Sequence, residues 1–126
     1  MMTKAILIDP FNETVSQVTL VDTKLQTIRT LIDCEIITMT GLANGVDMIL
    51  DDEGLLKDSE SQAYFKFGIG SQPFAGKALI VGTDDEGNTV SIPENVTTEK
   101  VFEKIIFFKP SKKYLEESCK IEFIPI

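Results

Sequence analysis

The chain has 126 residues, 43% of them apolar, enough to bury one core without disulfide or metal staples, and it is read as a single globular domain over 1–126. Twenty acidic against 12 basic residues leave a net charge of −8 with Arg29 as the only arginine, which argues against direct binding of nucleic-acid phosphates. The absence of histidine removes Ser-His-Asp and Cys-His pairs, imidazole metal ligands and imidazole acid–base chemistry near neutral pH.

Lys4-Ala5-Ile6-Leu7-Ile8-Asp9-Pro10 reads as a first strand ended by proline. Phe11-Asn12-Glu13-Thr14 turns the chain into a second strand built on Val15, Val18 and Leu20, so the two form a hairpin. Asp22 is the expected N-cap of a helix over roughly 23–33, with Leu25, Ile28, Leu31 and Ile32 on one face. Glu35–Thr40 and Val46–Leu50 flank a loop ending in Asn44-Gly45, a second hairpin. Residues 51–62 are polar and acidic apart from Leu55-Leu56, and lead into Tyr64, Phe65 and Phe67 and a glycine-rich stretch over 68–76, read as a loop.

Lys77–Gly82 is the most strand-like run and the expected buried centre of the sheet. Asp84–Asn88 turns it back into Thr89–Ile92, ended by Pro93. A second helix is expected over about 98–108, capped by Thr97 or Thr98, with a helical turn at 114–118 and a closing strand over 119–123. The order β-β-α-β-β-loop-β-β-α-β predicts an α+β fold, a mostly antiparallel sheet with about two helices on one face.

The longest apolar runs fall short of the ~18–20 residues of a membrane span, and Met1-Met2-Thr3-Lys4 leads directly into the first strand without the pattern of a signal peptide. Cys34 and Cys119 lack metal-type spacing and read as reduced thiols, which makes the cytoplasm the expected compartment.

Asp-Asp-Glu-Gly occurs twice, at 51–54 and 84–87, each time behind an apolar run. The second copy fails as an EF-hand loop, because glycine falls at position 4 rather than 6 and Asn95 stands where the bidentate glutamate belongs. It reads as a hairpin turn with Gly87 at positive φ. The first copy has no strand directly after it, so Asp51, Asp52 and Glu53 are candidates for an acidic recognition edge. A Mg²⁺ site from Asp51, Asp52, Asp84 and Asp85 would need both turns at the same end of the sheet. Gly68-Ile69-Gly70 and Gly76-Lys77 match neither a dinucleotide fingerprint nor a phosphate loop. The candidate ligand- or partner-binding residues around this stretch are Tyr64, Phe67, Gln72, Phe74 and Lys77, aromatics that can stack and polar groups that can orient. No catalytic residue, metal ligand or cofactor is assigned.

Ala5-Ile6-Leu7-Ile8-Asp9-Pro10, Asp51-Asp52-Glu53-Gly54-Leu55-Leu56 and Gly76-Lys77-Ala78-Leu79-Ile80-Val81-Gly82 together resemble an uncharacterised domain-of-unknown-function family of small phage, prophage and plasmid proteins. The family pattern has an Asn-Pro-Arg-Ala-like stretch between its acidic segment and the strand that corresponds to Gly76–Gly82, replaced here by Gln62-Ala63-Tyr64-Phe65-Lys66-Phe67. The resemblance covers roughly residues 4–92 and implies a mobile-element accessory protein without assigned catalytic residues. The expected function is therefore a small cytoplasmic binding protein that interferes with a host process or defence by holding a host protein or small ligand. Two alternatives are a Mg²⁺-dependent phosphoesterase or nuclease using the acidic turns, and an acidic DNA-mimicking inhibitor. Direct nucleic-acid and membrane contacts are not expected, and the sequence leaves the oligomeric state open.

Overall fold

A computed structural model describes residues 2–54, 62–68 and 72–108. The expected helical turn at 114–118, the closing strand at 119–123, Leu55-Leu56 and Cys119 lie outside the described residues. Chain order is β1 (Thr3–Asp9), β2 (Thr14–Leu20), α1 (Leu25–Leu31), β3 (Ile37–Ala43), β4 (Val46–Asp51), β5 (Tyr64–Phe67), β6 (Pro73–Ala75), β7 (Ala78–Thr83), β8 (Thr89–Val90), α2 (Thr98–Lys104) and β9 (Ile105–Phe108). The main sheet runs β2-β1-β7-β4-β3 with β8 against β7, and a small sheet runs β6-β5-β9. Every pairing among the described strands is antiparallel, as the hairpin-rich order of the sequence predicts. None of the described helices is long and apolar enough to cross a membrane.

The apolar run Ala78-Leu79-Ile80-Val81 puts β7 at the sheet centre because it can bury both faces. Ala78 and Ile80 join Ile6, Ile8, Met48 and Phe65 on one side. Leu79 and Val81 join Ala5, Leu20 and Ile49 on the other. Full burial of each Ile, Leu, Val, Met or Phe side chain among these stabilises by about 1.5–3 kcal/mol. Each apolar face requires its own cover. α1 covers the second face with Ile28 and with Ile32 at its C-cap, while the small sheet and Val101 of α2 cover the first. The α+β class and antiparallel sheet follow the expectation; the helices, expected on one face, take opposite faces for this reason.

Three elements differ from the sequence reading. α1 is shorter than 23–33, and Asp22 acts before it rather than as its cap, accepting from Lys24 N at 2.9 Å and Thr27 Oγ1 at 2.6 Å. α2 begins as expected at Thr97, whose side chain accepts from Lys100 N, but stops at Lys104. Ile105-Ile106-Phe107-Phe108 then extends beside β5, because β-branched and aromatic side chains suit a strand and β5 has an edge to receive it. The expected loop over 68–76 contains β6, so the aromatic stretch supplies two of the three strands of a second sheet.

Candidate functional site

Antiparallel pairing places the C-terminal ends of β1 and β4 beside the N-terminal end of β7, with Ile8 opposite Ala78 and Ile49 opposite Leu79. Asp9, Asp51 and Gly76-Lys77 therefore meet at one end of the sheet. Asp9 is buried and holds the corner after β1, accepting from the N–H groups of Phe11 (3.0 Å) and Asn12 (3.3 Å) and from Asn12 Nδ2 (2.8 Å). Lys77 Nζ donates to Asp33 Oδ2 at 2.6 Å. That hydrogen bond raises the Lys77 pKa above its ordinary value, with nearby Asp9 adding a smaller pull.

Asp33 reaches Lys77 from the left-handed position that ends α1, at φ 54. There Cys34 N bonds Arg29 O at 3.0 Å and Asp33 N bonds Thr30 O at 3.4 Å, the paired bonds of a Schellman stop.

Gln62 is one residue that sequence reasoning missed. It is buried, its Nε2 donates to Gly54 O at 2.8 Å, and its Oε1 accepts from Ala63 N at 3.2 Å. It thus ties the acidic exit of β4 to the start of β5. The available signal was an amide directly against the apolar Ala63-Tyr64-Phe65 run, where an unpaired polar group is costly and so must have partners. Gly54 packs so closely on β6 that a Cβ there would lie 2.7 Å from Ala75 O. Gly76, at φ 83, gives its N–H to Ala63 O at 2.9 Å.

Among the described residues, three clefts adjoin Asp51. One of about 300 Å³ lies between the main sheet and β6, lined by Thr38, Thr40, Asp51, Asp52, Gln72 and Phe74 among others. A second, of about 340 Å³, includes Phe11, Asn12, Asp33, Asp51, Gln62 and Lys77. The third, of about 870 Å³, opens beside α1 and includes Arg29, Asp33, Cys34, Glu35, Asp51 and Glu53. Arg29 Nε is buried there without a hydrogen-bond partner among the described residues.

The predicted residues separate accordingly. Asp51, Asp52, Gln72 and Phe74 share the first cleft, Lys77 meets Asp51 in the second, and Glu53 lines the third. Phe74 also packs on Phe65, ring centroids 5.4 Å apart. Tyr64 is buried and stacks on Phe108 at 5.6 Å, so its ring serves the small sheet's packing. Phe67 lines a separate cavity of about 270 Å³ with Leu42, Val96 and Val101, away from the acidic edge.

The proposed four-aspartate metal site does not assemble. β4 and β7 are antiparallel, with Val46 opposite Gly82 and Ile49 opposite Leu79. Asp51 leaves one end of this pair and Asp84 the other, about 20 Å apart at ~3.3 Å per strand residue.

The chain matches the DUF3846 domain of unknown function over residues 2–106. It belongs to that family. The three segments that carried the resemblance, at 5–10, 51–56 and 76–82, all fall in the matched span, and their described residues form the strand ends just set out. No curated protein and no solved structure matches this DUF3846 chain.

Proposed function

We propose that this DUF3846 protein works by binding, and that it holds a basic segment of a partner protein in the cleft between the acidic exit of β4 and the β5–β6 hairpin. The observation that carries the reading is that Asp51 and Asp52 line one cleft with Gln72 and Phe74. Carboxylates at the rim attract and orient a cation, while the Phe74 ring gives apolar contact to its aliphatic stem. The net charge of −8 favours encounter with a basic surface. A phage or plasmid origin and a host protein as target extend this proposal and rest on the resemblance carried by the sequence, while a cytoplasmic setting rests on reading the cysteines as reduced thiols.

The test is capture of host proteins by the wild type and by Asp52→Lys, a change at an exposed residue. Loss of the captured set in the variant, and weakening of wild-type capture from roughly 50 mM to roughly 500 mM salt, are expected as charges are screened. Capture that is identical for both proteins and indifferent to salt would refute the reading.

A small ligand is the second reading, favoured by Arg29, which lines the cavity beside α1 and whose buried Nε has no hydrogen-bond partner among the described residues. With Asp33, Glu35 and Glu53 nearby, the charges there suit a zwitterion, carboxylate towards Arg29 and ammonium towards the acids. Melting curves with millimolar free amino acids test it, since a ligand that binds only the folded state raises Tm and Arg29→Lys should abolish the rise.

A further inference from the structure

We propose that the partner segment binds as an added strand on the outer edge of β3, a specific mode that rests on the cleft being the binding site. Asp52 N donates to Ile36 O at 2.9 Å, and Ile37 pairs with Asp51. Ile37 and Asp51 are therefore a non-hydrogen-bonded pair, so the backbone groups of Ile36, Thr38 and Thr40 point to β4. Those of Ile37 and Met39 point outward, where among the described residues no strand receives them.

Sheet edges are ordinarily blunted by lysine, proline or a covering element. Ile37-Thr38-Met39-Thr40 has no charge and no proline, and Met39 is 51% exposed. The bulge between Gly41 and Ala43 ends the regular ladder, leaving an edge of about four residues. The opposite edge strand, β2, is in contact with α2.

The cleft lies where such a strand would need it. Thr38 is opposite Leu50 and Thr40 opposite Met48, so their side chains share the sheet face covered by the small sheet. A strand laid about 4.8 Å beyond β3 would direct alternate side chains to the same side, towards Phe74 and Gln72, with the exposed Asp52 carboxylate at one end. The fitting occupant is an extended segment with a lysine or arginine among apolar residues. A second copy fits less well, because β3 carries no cation and each copy carries a net charge of −8.

Selection from a library of random ten-residue peptides tests the mode whatever the partner's identity. Enriched peptides should carry a basic residue, slow the hydrogen exchange of the Ile37 and Met39 amides, and lose about tenfold in affinity when alternate peptide N–H groups are methylated. Met39→Pro removes one outward N–H without touching the β4 ladder and should weaken the same peptides similarly. Peptides that shift Asp52 and Phe74 resonances while leaving the Ile37 and Met39 amides unprotected would overturn strand addition but keep the cleft. Enrichment no greater than with Asp52→Lys would overturn both. Concentration-dependent protection of Ile37 and Met39 in the protein alone would assign the edge to a second copy instead.

Discussion

The two Asp-Asp-Glu-Gly copies have identical chemistry and different structural duties. At 84–87 the turn is closed on itself: Asp84 Oδ1 accepts from Glu86 N (3.0 Å) and Asn88 N (2.8 Å), and Gly87 N donates to Asp84 O (3.0 Å). Gly87 sits at φ 86 with nothing within 4 Å of a would-be Cβ, so glycine is there for its backbone freedom. At 51–54 the positive φ is missing and the neighbours are close: Gly54 lies against β6, its carbonyl held by Gln62. Glycine is there for lack of volume. The same four letters thus mark a local turn in one place and a junction between two sheets in the other.

The sharpest contrast comes from alanine at each glycine. Gly54→Ala would push a methyl into the Ala75 backbone and is expected to cost about 2–3 kcal/mol in a urea titration. Gly87→Ala meets no neighbour and should cost only the left-handed penalty of about 1 kcal/mol. Equal losses would break the comparison.

Gln62→Leu should follow Gly54→Ala in size, at about 1–3 kcal/mol, because it withdraws the donor to Gly54 O at a buried site. Its loss should also appear as faster exchange of the Gly76 amide, which pairs with Ala63 O.

A smaller effect separates the turns by pH. The backbone N–H of Asn88, helped by its side chain and by Glu86 N, holds the Asp84 carboxyl below its ordinary value of 3.8. A lowered folded value means the turn's contribution is present above pH 3.8 and is lost as pH falls through the folded pKa. The Asn88 amide resonance should therefore move in strong acid, and Asp84→Asn should remove that movement. The Lys77–Asp33 pair behaves oppositely: its contribution is complete below the ordinary lysine value of 10.5 and fades as pH rises through the raised one. Asp33 is 69% exposed, so Asp33→Asn, which retains tolerance of the left-handed position, should change stability by under about 1 kcal/mol.

Legibility in the sequence followed the range of the interactions. The hairpins, the central Lys77–Gly82 run, the Thr97 cap and the Asp84 turn depend on neighbours a few residues away, and all appear in the structure. The end of α2 was not legible, since Ile105–Phe108 satisfies a helical face as well as a strand and is decided by the edge of β5. Nor were Gln62 and Arg29, whose importance lies in a bond across eight residues and a buried nitrogen without a hydrogen-bond partner among the described residues.

By itself the sequence determined the α+β class, the antiparallel sheet and the turn at 84–88, because periodicity and turn chemistry are written locally. Only the tertiary structure decided that the helices take opposite faces, that the two acidic turns lie at opposite ends of β7, and that Asp52 and Phe74 share a cleft beside β3, an edge strand among the described residues. Those outcomes depend on which strands pair and in what register, a choice fixed by burial of both faces of the sheet at once rather than by any one segment.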